Sequence, residues 1–135
     1  KTRIRISANN IIGFPGESRD DIMKTIEINR QINPDSIVVN AFRPYSGTEL
    51  RQVCIDRGLV SAEERAEDNR VYGAFYNGVL SADELEGIRR VFAFYVKISK
   101  ERWREIKAAE KDEEIFSRLH EEFISKDMLY RQPKK

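Results

Sequence analysis

The chain has 135 residues, enough for one domain that buries roughly two-thirds of the surface its unfolded form exposes. Its 24 Lys and Arg stand against 23 Asp and Glu, and a net charge of +1 gives no general attraction to nucleic acid or to an anionic membrane. With 35% charged and 40% hydrophobic residues the composition suits a soluble, helix-rich globular chain, and no apolar run approaches the roughly 18–20 residues that cross a bilayer.

The sequence begins Lys1-Thr2-Arg3, without Met, and enters a strand pattern almost at once, so a piece of a longer protein is expected. A first strand is predicted over about 3–13, where Ile4, Ile6 and Ala8 alternate and Asn10, Ile11 and Ile12 follow as a more continuous run. It ends at the turn Gly13-Phe14-Pro15-Gly16. Ser18 with Asp21 makes a variant capping box, and Ile22, Met23, Ile26, Ile28 and Ile32 give an apolar side to a helix over about 19–32. Asn33-Pro34-Asp35 stops it, and Ser36 to Phe42 is a second, β-branched strand. One helix between two strands predicts parallel pairing in a βαβ unit. Thr48 caps a further helix to about Arg57, closed by Gly58 and Leu59.

Beyond residue 60 the pattern changes. Ser61-x-x-Glu64 is a capping box for a short helix over about 62–70, and Val71 to Val79, aromatic with two glycines, reads as an extended or irregular segment. Ser81-x-x-Glu84 opens a long helix predicted over about 82–109, and a last helix is predicted over about 113–126. Arg131 to Lys135 reads as a frayed basic end. The expected domains are therefore 1–60, an α/β unit, and 61–135, a helical extension.

The candidate site is the shared C-terminal edge of the two strands, where α/β folds bind ligands: Asn9 to Glu17 and Asn40 to Gly47. Gly13 and Gly16 serve either turn geometry or a close approach to a ligand. Neither a G-K-[ST] phosphate loop nor a dinucleotide G-x-G-x-x-G is present. Asn10 and Asn40 need partners within an apolar strand, either in the fold or on a ligand. Arg43 and Tyr45 stand on the rim loop, where solvent exposure is the default. Cys54 reads as a small packing residue, His120 as surface, and Phe92, Phe94, Tyr95 and Trp103 as core. One His and one Cys far apart assemble no nucleophile and base, so acyl transfer is not expected.

The run N-I-I-G-F-P-G-E-S-R-D-D-I, then P-D-S-I-V-V-N-A-F-R-P-Y-S-G-T-E-L, then R-G-L-V resembles the later part of a radical S-adenosylmethionine barrel over about residues 4–60. It is most similar to the branch whose members often carry an N-terminal cobalamin-binding domain, which makes cobalamin a candidate second cofactor. The resemblance implies a partial TIM-like (β/α)6 barrel, with 3–13 and 36–42 as its fifth and sixth strands. It implies that Ile11, Gly13 and Glu17, from a G-x-I-x-G-x-x-E motif, lie at the adenine of S-adenosylmethionine. Asn9 stands where that motif has its first Gly, and Glu17 falls one residue late. The Ala41–Phe42 backbone would bound the adenine from the sixth strand.

The family's reductive cleavage of S-adenosylmethionine uses a 4Fe–4S cluster on a C-x3-C-x2-C motif, which this chain lacks. The resemblance therefore implies a C-terminal fragment, inactive by itself, of an oxidoreductase or methyltransferase acting on an unknown substrate. Its first partner is the missing N-terminal half of its own barrel. Two strands leave edges open, so self-association of the isolated chain is expected. The rivals are a non-enzymatic helical module binding through 82–126, and a small nucleotide-binding protein using the Gly13–Glu17 turn.

Overall fold

The structure, a computed structural model, describes residues 4–64 and 74–125. It is a mixed α/β fold with, among the described residues, a two-stranded parallel sheet and five α-helices. Strand β1 (Ser7–Ile12) pairs with β2 (Ser36–Ala41) from Ser7 opposite Ser36 to Ile12 opposite Ala41. Both strands are shorter than the sequence pattern predicts. The start of the pair is fixed by Asp35, whose carboxylate accepts from Ile6 N at 2.9 Å while its own N–H donates to Ile6 O at 2.8 Å.

Helix α1 (Arg19–Ile32) joins the strands, with the same bounds as its apolar periodicity predicts. The Ser18–Asp21 capping box forms in both directions, with Asp21 N on Ser18 Oγ at 3.2 Å and Ser18 N on Asp21 Oδ2 at 3.1 Å. These bonds hold the Asp21 carboxyl well below its usual range, at about 2. Helix α2 (Glu49–Asp56) is capped by Thr48. It ends in a Schellman motif: Gly58, at φ +68°, donates to Ile55 O, and Leu59 donates to Cys54 O.

Three helices follow: α3 (Ala82–Lys97), α4 (Trp103–Ala109) and α5 (Glu113–Ser125). The single long helix predicted over 82–109 is corrected. Helix α3 stops at Lys97, Ile98 is extended (φ −92°, ψ 152°), and a 3-10 turn over Lys100–Arg102 leads into α4. The cause lies on another element. One guanidinium nitrogen of Arg30, on α1, donates to the carbonyls of Tyr95, Val96 and Ile98 at 2.7, 2.9 and 2.8 Å. It supplies the end of α3 with partners the next helical turn would otherwise provide. The bend also folds Trp103 edge-on against Tyr95, with ring centroids 5.4 Å apart.

The capping box expected at Ser61 is likewise corrected. Ser61 Oγ bonds within a local turn to Glu63, and residues 62–64 are not helical. The carbonyls of Ala62 and Glu64 are instead taken by the Arg51 guanidinium. The rest of that expected helix, residues 71–73 of the expected irregular segment and the basic end lie outside the described residues. Residues 74–79 form no strand.

The βαβ unit and the later helices share one core. Ile12 of β1 and Ile22 and Ile26 of α1 pack with Leu85, Ile88 and Phe92 of α3, and the cluster continues to Ile106, Leu119 and Phe123. Helices α1 and α3 meet each other, and α3 also packs on β2. They cover the sheet face that carries Asn10 and Ile12, whereas Asn9, Ile11, Val38 and Asn40, paired across the strands on the other face, are exposed. Among the described residues no helix is long and apolar enough to cross a membrane.

Candidate functional site

The turn after β1 is closed on itself. The Glu17 carboxylate reaches back over it, accepting from Gly13 N at 2.6 Å and Phe14 N at 3.3 Å. Partial burial pushes the Glu17 carboxyl up from its ordinary value, and these two backbone N–H groups oppose the shift. The Gly16 N–H donates to Asn77 O at 2.8 Å, and Glu17 N donates to Phe14 O at 2.9 Å. Every one of these turn donors thus has a protein acceptor. At Gly13 (φ +88°) a side chain would begin 3.3 Å from Leu85 Cδ1, so α3 takes the space the glycine leaves.

Asn77 locks this turn from the other side of the chain. Fully buried, it donates from Nδ2 to Phe14 O and Glu17 O, both at 2.9 Å. Its Oδ1 accepts from Val79 N and Leu80 N at 3.0 and 2.8 Å. The sequence signal was the Asn77-Gly78 pair, a turn former; its distant target, sixty residues upstream, left none. Asn10 resolves in favour of the fold. Its side-chain amide and that of Asn29 on α1 bond to each other, at 2.7 and 3.2 Å, tying strand to helix.

Beside this turn, at the C-terminal rim of both strands, lies a cleft of about 590 Å³. Ile11, Ala41 and Phe42, from the candidate residues, line it together with Phe14, Asn40, Arg43, Tyr45 and Arg89, whereas Gly13 and Glu17 do not. Phe42 is buried between Phe14 and Phe75, at centroid distances of 5.0 and 6.2 Å, and forms an aromatic wall. The rim loop is held by Arg51, buried on α2, whose guanidinium donates to Pro44 O at 3.0 Å as well as to Ala62 and Glu64. Sequence reasoning missed three of the cleft's lining residues: Thr48 and Leu50, just past the predicted rim loop, and Arg89, which comes from α3, outside the βαβ unit. The Arg89 Nε is held by Glu86 at 2.8 Å, and Glu86 also accepts from Ala74 N at 2.9 Å.

The residues present do not fit an iron–sulfur cluster. The single thiol, Cys54, is buried on α2, where burial pushes its pKa up. Among the described residues no three His, Cys, Asp or Glu side chains stand together as metal ligands. The cleft does fit a flat apolar group, because Ile11, Phe14, Phe42 and Leu50 give it aliphatic and aromatic walls. No family model, curated protein or solved structure matches the chain.

Proposed function

We propose that this chain is the C-terminal part of a radical S-adenosylmethionine enzyme, with β1 and β2 two strands of a partial barrel and the rim cleft the adenine side of its site. One observation carries the reading: Ile11, Ala41 and Phe42, assigned to the adenine by resemblance, line a single cleft at the C-terminal rim. The sheet supports it as well. Helices cover its outer face, while Asn9, Ile11, Val38 and Asn40 face the side a barrel would enclose. When bound, the cluster supplies the electron that cleaves S-adenosylmethionine; this chain's residues seat the adenine and exclude water from it. The ligands of the cluster, and any cobalamin, belong to the rest of the protein. A reducing compartment, the cytoplasm, goes with this reading.

The rivals fare less well. Among the described residues, the large apolar side chains left exposed all precede residue 80, so the helices from 82 onward offer no apolar docking face. A phosphate at the Gly13–Glu17 turn would meet N–H groups already bonded to protein.

The test is made in two proteins. Iron–sulfide reconstitution of this chain should give no cluster absorbance, and a stoichiometric four-iron cluster would refute the reading. The longer protein should carry C-x3-C-x2-C about 100–150 residues upstream of Lys1, the room that the preceding βα units take. In it, reduction with S-adenosylmethionine should yield 5′-deoxyadenosine. Ile11→Glu, burying a carboxylate against the adenine, should weaken S-adenosylmethionine binding at least about ten-fold. An upstream sequence without the cysteine motif would end the proposal.

The partner that completes the sheet is the remainder of the barrel. In its absence neither edge of the two-stranded sheet carries a further strand among the described residues, and Ile6, Ile11 and Val38 are exposed beside them. The isolated chain should therefore associate through those edges. Light scattering should give at least twice the monomer mass, and a single monomer mass at every concentration would count against it.

A further inference from the structure

The register of the sheet fixes where the Asn40 amide stands in the rim cleft. Asn40 of β2 lies opposite Ile11 of β1, and both residues are on the exposed sheet face and line the cleft. Neighbouring strands run about 4.8 Å apart, so a flat ring system resting on Ile11 has the Asn40 amide at its edge. The Phe14–Phe42 pair supplies the aromatic wall. The Asn40 side chain has no hydrogen-bond partner among the described residues. Other polar atoms around it are committed. Gly13 N and Phe14 N serve Glu17, and Phe42 N donates to Ile12 O at 2.7 Å. Thr48 Oγ1 donates to Tyr45 O at 2.7 Å and accepts from Arg51 N at 3.3 Å. Arg43 and Arg89 carry guanidinium groups, which only donate and can accept nothing from an amino group. Asn40 offers an acceptor and a donor side by side, the pattern that pairs with the amino group and adjacent ring nitrogen of adenine.

We propose that Asn40 is the specificity-determining residue of the rim cleft. Its Oδ1 accepts from the 6-amino group of a bound adenine and its Nδ2 donates to the neighbouring ring nitrogen, while Ile11, Phe14 and Phe42 hold the ring. A purine without the amino group leaves the amide oxygen without a donor, so the cleft takes it less well. The pairing rests on strand register and on the cleft. That the adenine is the one in S-adenosylmethionine rests on the proposed function. Tyr45 also lines the cleft, and its hydroxyl has no hydrogen-bond partner among the described residues, but it stands on the rim loop and not beside Ile11. Its variant is therefore the control.

Isotope-labelled full chain is titrated with adenosine and with purine riboside, the same nucleoside without its 6-amino group, following backbone amides along the rim and the Asn40 side-chain amide. Adenosine should shift these signals to saturation and bind about five-fold more tightly than purine riboside, the worth of one neutral hydrogen bond. Asn40→Ala should weaken adenosine and close the gap, so that the two nucleosides bind alike. If that variant changes the spectrum beyond the cleft, Asn40→Val, a better strand former, takes its place. Tyr45→Phe should leave the five-fold gap intact. Equal affinity for the two nucleosides in the parent chain, a gap that survives loss of the amide, a gap that Tyr45→Phe removes, or no saturable adenosine binding overturns the inference. An Asn40-dependent gap without the upstream cysteine motif would leave this inference standing and end the proposed function; the motif without such a gap would do the opposite.

Discussion

Glu110→Ala should lower the unfolding free energy by about 3 kcal/mol, the low end for breaking a buried ion pair, and the thermal midpoint by roughly 10 °C. Glu110 is 8% exposed. It binds the Arg19 guanidinium through both carboxylate oxygens, one at 3.0 Å, and accepts from Tyr95 OH at 2.6 Å, with Arg19 also donating to that hydroxyl at 3.2 Å. Removing the carboxylate strands a guanidinium whose side chain is 30% exposed and a hydroxyl that is wholly inside. The same carboxylate raises the Arg19 pKa by its hydrogen bond, against the effect of burial. Arg19→Met with Tyr95→Phe and Glu110→Met should recover most of the loss, since a matched apolar set needs no hydrogen bonds. Urea denaturation of the two variants measures both effects. Equal stability of Glu110→Ala and the parent chain would show that the network contributes nothing.

Asn77→Ala is expected to cost a similar amount, about 3 kcal/mol, because it strands several buried backbone groups at once. The carbonyls of Phe14 and Glu17 lose a donor, and Val79 N and Leu80 N lose an acceptor. Asn77→Asp should recover the acceptor half alone and fall between the two. The second readout is local. Backbone exchange at Gly13, Phe14 and Gly16 should speed up in Asn77→Ala far more than exchange in α5, since only the turn loses its clamp. Uniform acceleration across the chain would show global loosening in place of a local one.

The local half of this fold was legible because local chemistry decides it. The 3.6-residue spacing of Ile22 and Ile26, with Ser18 before them and Asn33-Pro34 after, bounds α1 on its own. Thr48 and Gly58 do the same for α2. The break at Ile98 was not legible, because the group that satisfies the end of α3 is Arg30, 65 to 68 residues away. Ser61 failed for a related reason: its motif is sound, but Arg51 claims the carbonyls a helix would use. The site divides in the same way. The rim itself, Asn9 to Glu17 and Asn40 to Gly47, follows from strand order and polarity, since the end of a parallel strand is a fixed place; within it Ile11, Ala41 and Phe42 were singled out by the resemblance. Arg89 and Asn77 enter from later elements whose docking depends on the whole core. Asn10 shows the ambiguity of a buried amide. The sequence demanded a partner for it, and only the packing of α1 names Asn29.

The carboxylate of Glu17 bears on which molecules this rim would refuse. Tethered three and four residues from the N–H groups it occupies, it is present there at a high effective concentration that no free anion matches. Phosphate-bearing metabolites, which commonly settle on glycine turns ahead of helices, would have to evict it. The turn thus acts as a filter by prior occupancy. Whatever is recognised at the strand ends must be recognised by the cleft alone.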